Sequence, residues 1–182
     1  MKALLLDRDG VINHDSDHYI KSPTEWQPIA GSLEAIARLS QAGVRVYVAT
    51  NQSGLGRGLF DYDAFFAMQQ KFQRLLAEKG GRIEAVAFAP EHPDAASDRR
   101  KPAPGMLKDL SRRAGFVLEE TPFVGDSWSD LLAAQAAGCP PVLVKTGNGA
   151  KTWAKVQSDF RAIANVQVFE DLAGFVDSFL SH

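Results

Sequence analysis

Apolar residues along the chain fall into short runs rich in β-branched and large aliphatic side chains, separated by stretches in which they recur at helical spacing. The runs at 3–6, 44–49, 83–88, 121–124 and 142–144 predict strands, and 166–169 predicts a weaker sixth. Between them, Leu33, Ile36, Ala37 and Ser40 mark one face of a helix that Gly43 would stop. Phe65, Met68, Phe72, Leu75 and Leu76 mark a second, with Asp61 placed to cap its start. Leu107, Leu110 and Ala114 mark a third, entered at Pro104 and ended near Gly115, and Leu172, Phe175, Val176 and Phe179 mark a last one. The aromatic and methionine stripes read as core. Strands that alternate with helices predict an α/β fold: a doubly wound, Rossmann-like parallel sheet with helices on both faces. Functional residues then belong on the loops that leave the strands.

Composition narrows this picture. With 182 residues, 45% of them hydrophobic, the chain is expected to form one domain over 1–182 with a full core. Twenty basic against 22 acidic residues give a formal charge of -2, and no long basic block points to nucleic acid. A single cysteine, Cys139, excludes an intrachain disulfide and a multi-cysteine metal site, and reads as a small buried residue in a reducing compartment. Residues 3–6 are too few for a signal-peptide core, and no stretch approaches the roughly 18 apolar residues of a membrane span. A soluble cytoplasmic protein, with a monomer favoured, is the expectation.

Four predicted loops carry unusual polar residues: Asp7 to Gly10, Thr50 to Gly54, Arg100-Lys101-Pro102, and Gly125 to Asp130. Each follows a different strand, so together they would converge on one site. In an extended segment Asp7 and Asp9 face the same side while Arg8 points away. Phosphate monoesters react very slowly in water, so their hydrolysis needs a nucleophile, charge neutralisation and an acid for the leaving oxygen. An ionised aspartate can attack phosphorus. Carboxylates from Asp7 and Asp126 would form a hard-oxygen site for Mg²⁺, while Lys101 and the Thr50 hydroxyl hold the other phosphate oxygens. Asp9 could then protonate the departing alkoxide and later activate water.

These residues resemble the haloacid dehalogenase superfamily of phosphatases, whose four motifs occur in the same order. The match runs from the first strand to about Asp130. Asp7-Arg8-Asp9-Gly10-Val11-Ile12-Asn13, Thr50-Asn51-Gln52-Ser53-Gly54 with Arg57-Gly58, and Arg100-Lys101-Pro102 with Pro104-Gly105-Met106 are similar to the histidinol-phosphatase-related branch, and most of all to its heptose-1,7-bisphosphate 7-phosphatases. The resemblance implies no large cap domain. It implies Asp7 as nucleophile and metal ligand, Asp9 as general acid/base with its carbonyl on the metal, Asp126 as third ligand, Thr50 and Lys101 on the phosphoryl group, and Asp130 behind Asp126. It also implies that Arg100 recognises the distal part of a small phosphorylated sugar. Arg57, Asn51, Gln52, Ser53 and the segment Asp15, Ser16, Asp17, His18 and Tyr19 would line the rim. The product would feed nucleotide-activated heptose for lipopolysaccharide.

Two departures matter. Many relatives carry a zinc loop of cysteines and a histidine, where this chain has Ala89, Glu91, Ser97 and Arg99; this set cannot close a tetrahedral zinc shell, so no structural zinc is expected. Where many relatives have lysine after the last-motif aspartate, this chain has Ser127. Histidinol phosphate or another sugar phosphate would suit the same four loops, and a phosphoacceptor signalling domain is a rival of a different class. His14 and His18 read as rim or surface residues.

Overall fold

The computed structural model describes residues 2–159 and 163–181. Six strands form one sheet: β1 (Ala3–Leu6), β2 (Arg45–Asn51), β3 (Ala85–Ala89), β4 (Phe123–Gly125), β5 (Pro141–Val144) and β6 (Gln167–Phe169). Their order is β3-β2-β1-β4-β5-β6, and every neighbouring pair is parallel. The expected doubly wound sheet is therefore present, with all six predicted strands within a few residues of their expected bounds. Strand order reverses between β1 and β4, and the crevice beyond the carboxyl ends of those two strands is where such a sheet opens to a ligand.

The two faces follow from alternation along each strand. Leu4 and Leu6 of β1 pack with Val46, Val48 and Val124 against α1 (Ser32–Gln41), α3 (Tyr62–Glu78) and α7 (Leu172–Leu180). Ala3 and Leu5 pack with Tyr47, Ala49 and Phe123 against α4 (Gly105–Ala114) and α5 (Trp128–Ala137). Beside these, Leu143 of β5 joins Leu131 of α5 and Val156 of α6 (Gly149–Ser158). Cys139 is buried in the second of these clusters.

Local signals set the helix ends. The Asp61 carboxylate accepts a hydrogen bond from Ala64 N at 2.8 Å, a cap worth about 1 kcal/mol, and Gly115 ends α4 in the left-handed conformation. Three helices differ from the sequence reading. Ser53 opens a short α2 (Ser53–Gly56), and Trp128 to Asp130 form the first turn of α5 where a continuous loop was expected. The third is α6, which no periodic stripe announced. No helix among the described residues is long and apolar enough to cross a membrane.

Candidate active site

Asp7 follows the last residue of β1, and Asp126 follows the last residue of β4. The switch point thus brings two buried carboxylates together, 8% and 2% exposed. Asp130, one turn into α5, completes a group whose carboxylate oxygens lie within 4.8 Å of one another. Lys101 neutralises part of it. Its ammonium lies 2.8 Å from Asp7 Oδ1 and 2.7 Å from Asp130 Oδ1, and it donates to Ala49 O at 2.9 Å.

Backbone and second-layer contacts hold this floor rigid. The other oxygen of Asp130 accepts from Asp126 N, Ser127 N and Ser127 Oγ at 3.2, 3.0 and 2.7 Å, so Asp130 both caps α5 and braces Asp126. Asp126 Oδ2 accepts from Asn148 N at 2.7 Å, and Thr152 Oγ1 donates to the Asp126 carbonyl at 2.8 Å. Glycine is required where the loops close over Asp126. Gly10 has φ +85°, and a Cβ there would lie 2.2 Å from Asp126 Oδ2. At Gly147, φ is +57° and a Cβ would come within 2.3 Å of the same oxygen.

Electrostatics single out the same residues. Burial first, then repulsion by Asp130, pushes the Asp7 carboxyl well above the ordinary carboxylate range, although Lys101 acts the other way. Asp126 is raised further by burial, Asp130 and Asp7, with only the Asn148 hydrogen bond prominent among opposing effects. No cationic side chain pairs with Asp126 among the described residues. Burial alone would lower Lys101, yet Asp130 and Asp7 together hold it above the usual lysine range. A buried, all-oxygen cluster with more carboxylate than neighbouring positive charge fits a hard divalent cation such as Mg²⁺.

Asp9 is held differently. Its Oδ1 accepts from Asn13 Nδ2 at 2.7 Å and from Arg8 Nη2 and Nε at 3.0 and 3.1 Å; its Oδ2 accepts from Gln52 Nε2 at 2.8 Å and Arg8 Nη2 at 3.1 Å. As expected, Asp7 and Asp9 both line the cavity above this floor while Arg8 does not; the contact of Arg8 with Asp9 is the addition. Arg8 lies on the other side of the chain, wholly buried, and its long guanidinium side chain turns back onto the carboxylate of Asp9.

A cavity of about 250 Å³ opens above this floor. Asp7, Asp9, Thr50, Lys101, Asp126 and Asp130 line it, as do Asp15, Ser16, Tyr19, Asn51, Gln52, Ser53 and Arg100. Two of these do other work than a rim contact. The Asn51 amide pairs with the backbone N and O of Lys101, both at 3.0 Å, and Gln52 Nε2 bridges Asp9 to Thr50 Oγ1, the latter at 3.0 Å. Asp17 faces a neighbouring cleft shared with His14 and Lys151, and the exposed Arg57 lies over the Tyr19 ring at 6.0 Å. His18 lines neither cavity. Arg100 Nη1 is buried with no hydrogen-bond partner among the described residues. Asn148, on the turn before α6, also lines the cavity and donates to Asp15 at 3.2 Å; nothing in its local pattern marked it.

The loop from Glu91 to Arg99 is tied by its own polar groups. Ser97 Oγ donates to Glu91 Oε1 at 2.9 Å and accepts from Arg99 N at 3.1 Å, while His92 Nδ1 accepts from Asp94 N at 3.2 Å. This donor set does not fit zinc.

Residues 98–174 match the HAD-hydrolase-like family model. The D-glycero-beta-D-manno-heptose-1,7-bisphosphate 7-phosphatase of Bordetella bronchiseptica is 49% identical over 180 residues, 99% of this chain and 98% of that protein. The enzyme of the same name from Pseudomonas aeruginosa is 49% identical over 97% of each chain. The crystal structure of D,D-heptose 1,7-bisphosphate phosphatase from B. bronchiseptica, complexed with magnesium and phosphate, superposes with a TM-score of 0.94 at 49% identity and covers 100% of this chain and 99% of its own. Likeness of this extent, over nearly the whole chain, leaves it a member of the haloacid dehalogenase-like family and one of its phosphatases.

Proposed function

We propose that this single domain is a Mg²⁺-dependent phosphatase that removes the 7-phosphate of D-glycero-β-D-manno-heptose 1,7-bisphosphate through an aspartyl-phosphate on Asp7. The carrying observation is the floor itself: one carboxylate, Asp7, stands at the crossing of Lys101 and the unneutralised Asp126, beneath a polar cavity. The names of relatives matched over nearly the whole chain support the substrate. Asp7, Asp126 and the Asp9 carbonyl would hold Mg²⁺, which supplies charge neutralisation for the phosphate.

Asp7 attacks phosphorus as the ester bond breaks, and Asp9 delivers a proton to the departing 7-oxygen. Asp9 then takes a proton from the water that hydrolyses the aspartyl-phosphate. Thr50 and Lys101 steady the transferred group. Arg100, with a buried and unpartnered Nη1 at the cavity wall, is the residue suited to the second phosphate or the sugar hydroxyls. Tyr19, Asp15, Ser16 and Ser53 form the rim beside it, with Arg57 outside Tyr19. In the cytoplasm the product would serve synthesis of nucleotide-activated heptose. Steady-state kcat/KM for both anomers of the bisphosphate, set beside histidinol phosphate, tests this reading. The β anomer is expected to be preferred; equal or higher efficiency with histidinol phosphate overturns the assignment.

A further inference from the structure

We infer that Arg8, the residue between the two aspartates, is a positioning residue that fixes the carboxylate of Asp9 for proton transfer. The inference rests on the proposed role of Asp9 as proton carrier.

Arg8 is fully buried, yet its partner Asp9 belongs to the cavity wall and its side chain stays 19% exposed. A buried guanidinium is costly to desolvate, so it persists where its geometry is fully used. Nε and Nη2 make a forked contact with the carboxylate of Asp9 at 3.0 to 3.1 Å. Nη1 reaches Gln69 Oε1 at 3.4 Å, and the guanidinium carbon lies 5.8 Å from the Phe65 ring centroid. Phe65 and Gln69 are four residues apart on α3 and so share one helix face. Arg8 therefore transmits the position of a core helix to a carboxylate in the cavity.

The remaining valences of Asp9 lead to the same conclusion. Asn13 holds one oxygen and Gln52 the other, and Gln52 also bonds Thr50. Donors from three places on the chain thus define one orientation of the carboxylate, in register with the hydroxyl proposed to grip phosphate. Arg8 supplies three of the five contacts. Without it, one hydrogen bond on each oxygen, from Asn13 and Gln52, would be left to set the orientation.

A residue that only stabilised the fold would slow all substrates alike or none. One that positions Asp9 matters in proportion to the need of the leaving group for a proton. Rapid-quench first-turnover rates should be compared for the heptose bisphosphate, whose alkoxide must be protonated, and 2,4-dinitrophenyl phosphate, whose phenolate leaves unprotonated. Asp9→Asn should lose roughly 10²- to 10⁴-fold on the sugar ester and little on the aryl ester. Arg8→Met should show the same selectivity at about 10- to 100-fold, and a crystal structure of it should show Asp9 in more than one orientation. Arg8→Lys keeps the buried charge without the fork and decides the question if Arg8→Met does not fold; a selective loss of about 5-fold is expected.

If Asp9→Asn is selective and neither Arg8 variant is, or if the folded Arg8 variants lose both substrates equally, the inference is overturned and the role of Asp9 stands. If Asp9→Asn itself shows no selectivity, the reading of Asp9 falls, and the role of Arg8 with it.

Discussion

The floor of the cavity and its rim are built on opposite principles. Asp7, Asp126, Asp130, Lys101 and Thr50 are each at most 8% exposed, and every one is braced by backbone or by a buried partner. At the rim, Asp15 and Ser16 are exposed and Tyr19, Ser53 and Arg100 half-buried, and the contacts of Asp15 and Ser16 are mostly local. A braced floor maintains one arrangement of charge whatever alcohol is attached to the phosphate, whereas an exposed rim can distinguish alcohols without disturbing that charge. With the proposed roles, reaction class would rest on the floor and substrate choice on the rim.

The largest break in that separation would come at the floor. Asp7→Asn should remain folded, because Asn keeps the shape and relieves repulsion among the acids, yet lose activity by roughly 10⁴-fold or more on every ester. Substantial turnover by the folded variant, measured with both a sugar and an aryl phosphate, would sink the nucleophile assignment. At the rim, Arg100→Ala should cost about 10- to 100-fold in kcat/KM on the heptose bisphosphate, the worth of a charge-assisted hydrogen bond, and much less on an aryl phosphate. Equal losses on the two substrates would erase the distinction between rim and floor.

The smallest effect is thermodynamic. Asp7 and Asp126 have carboxyl pKa values raised by folding, towards about 7 and about 9 in the metal-free protein. The native state therefore binds more protons than the unfolded chain over this range, and stability contributed by these groups falls as pH rises from about 4 through those values. Mg²⁺ should oppose this loss. Its stabilisation over chelator-treated protein, roughly 5–10 °C in Tm when saturating, should be greater at pH 8.5 than at pH 6. Asp126→Asn should flatten the difference. A pH-independent shift, measured by calorimetry, would show that the ion does not occupy the acid cluster.

Much of this was legible in the chain because it depended on side-chain periodicity. Strands β1 to β6, the cap at Asp61 and the stop at Gly115 all leave such a trace. Helix α5 did not, since Leu131, Ala133, Ala134 and Ala137 bury it on several sides and leave no single stripe. Nor did the turn into α6, where Asn148 serves Asp126 through its backbone N–H, a group every residue but proline carries. The contact of Arg8 with Asp9 escaped for a third reason: alternation places a side chain on one side of the chain, as it did here, but does not say which neighbour a long guanidinium will reach. The membership of the four polar loops in one site was the most readable feature, because parallel topology leaves strand ends few places to go.

Lys101 has a further consequence for turnover. An ammonium has three protons, and here Asp7, Asp130 and the Ala49 carbonyl each lie within 2.9 Å of it. An oxyanion that reaches this lysine must compete with acceptors already beside it, so its gain is a difference between good acceptors. Such an exchange would hold phosphate less tightly than the bare charge. With Lys101 in its proposed role on the phosphoryl group, the last event of each cycle, departure of inorganic phosphate, would find a protein acceptor ready to reclaim the lysine.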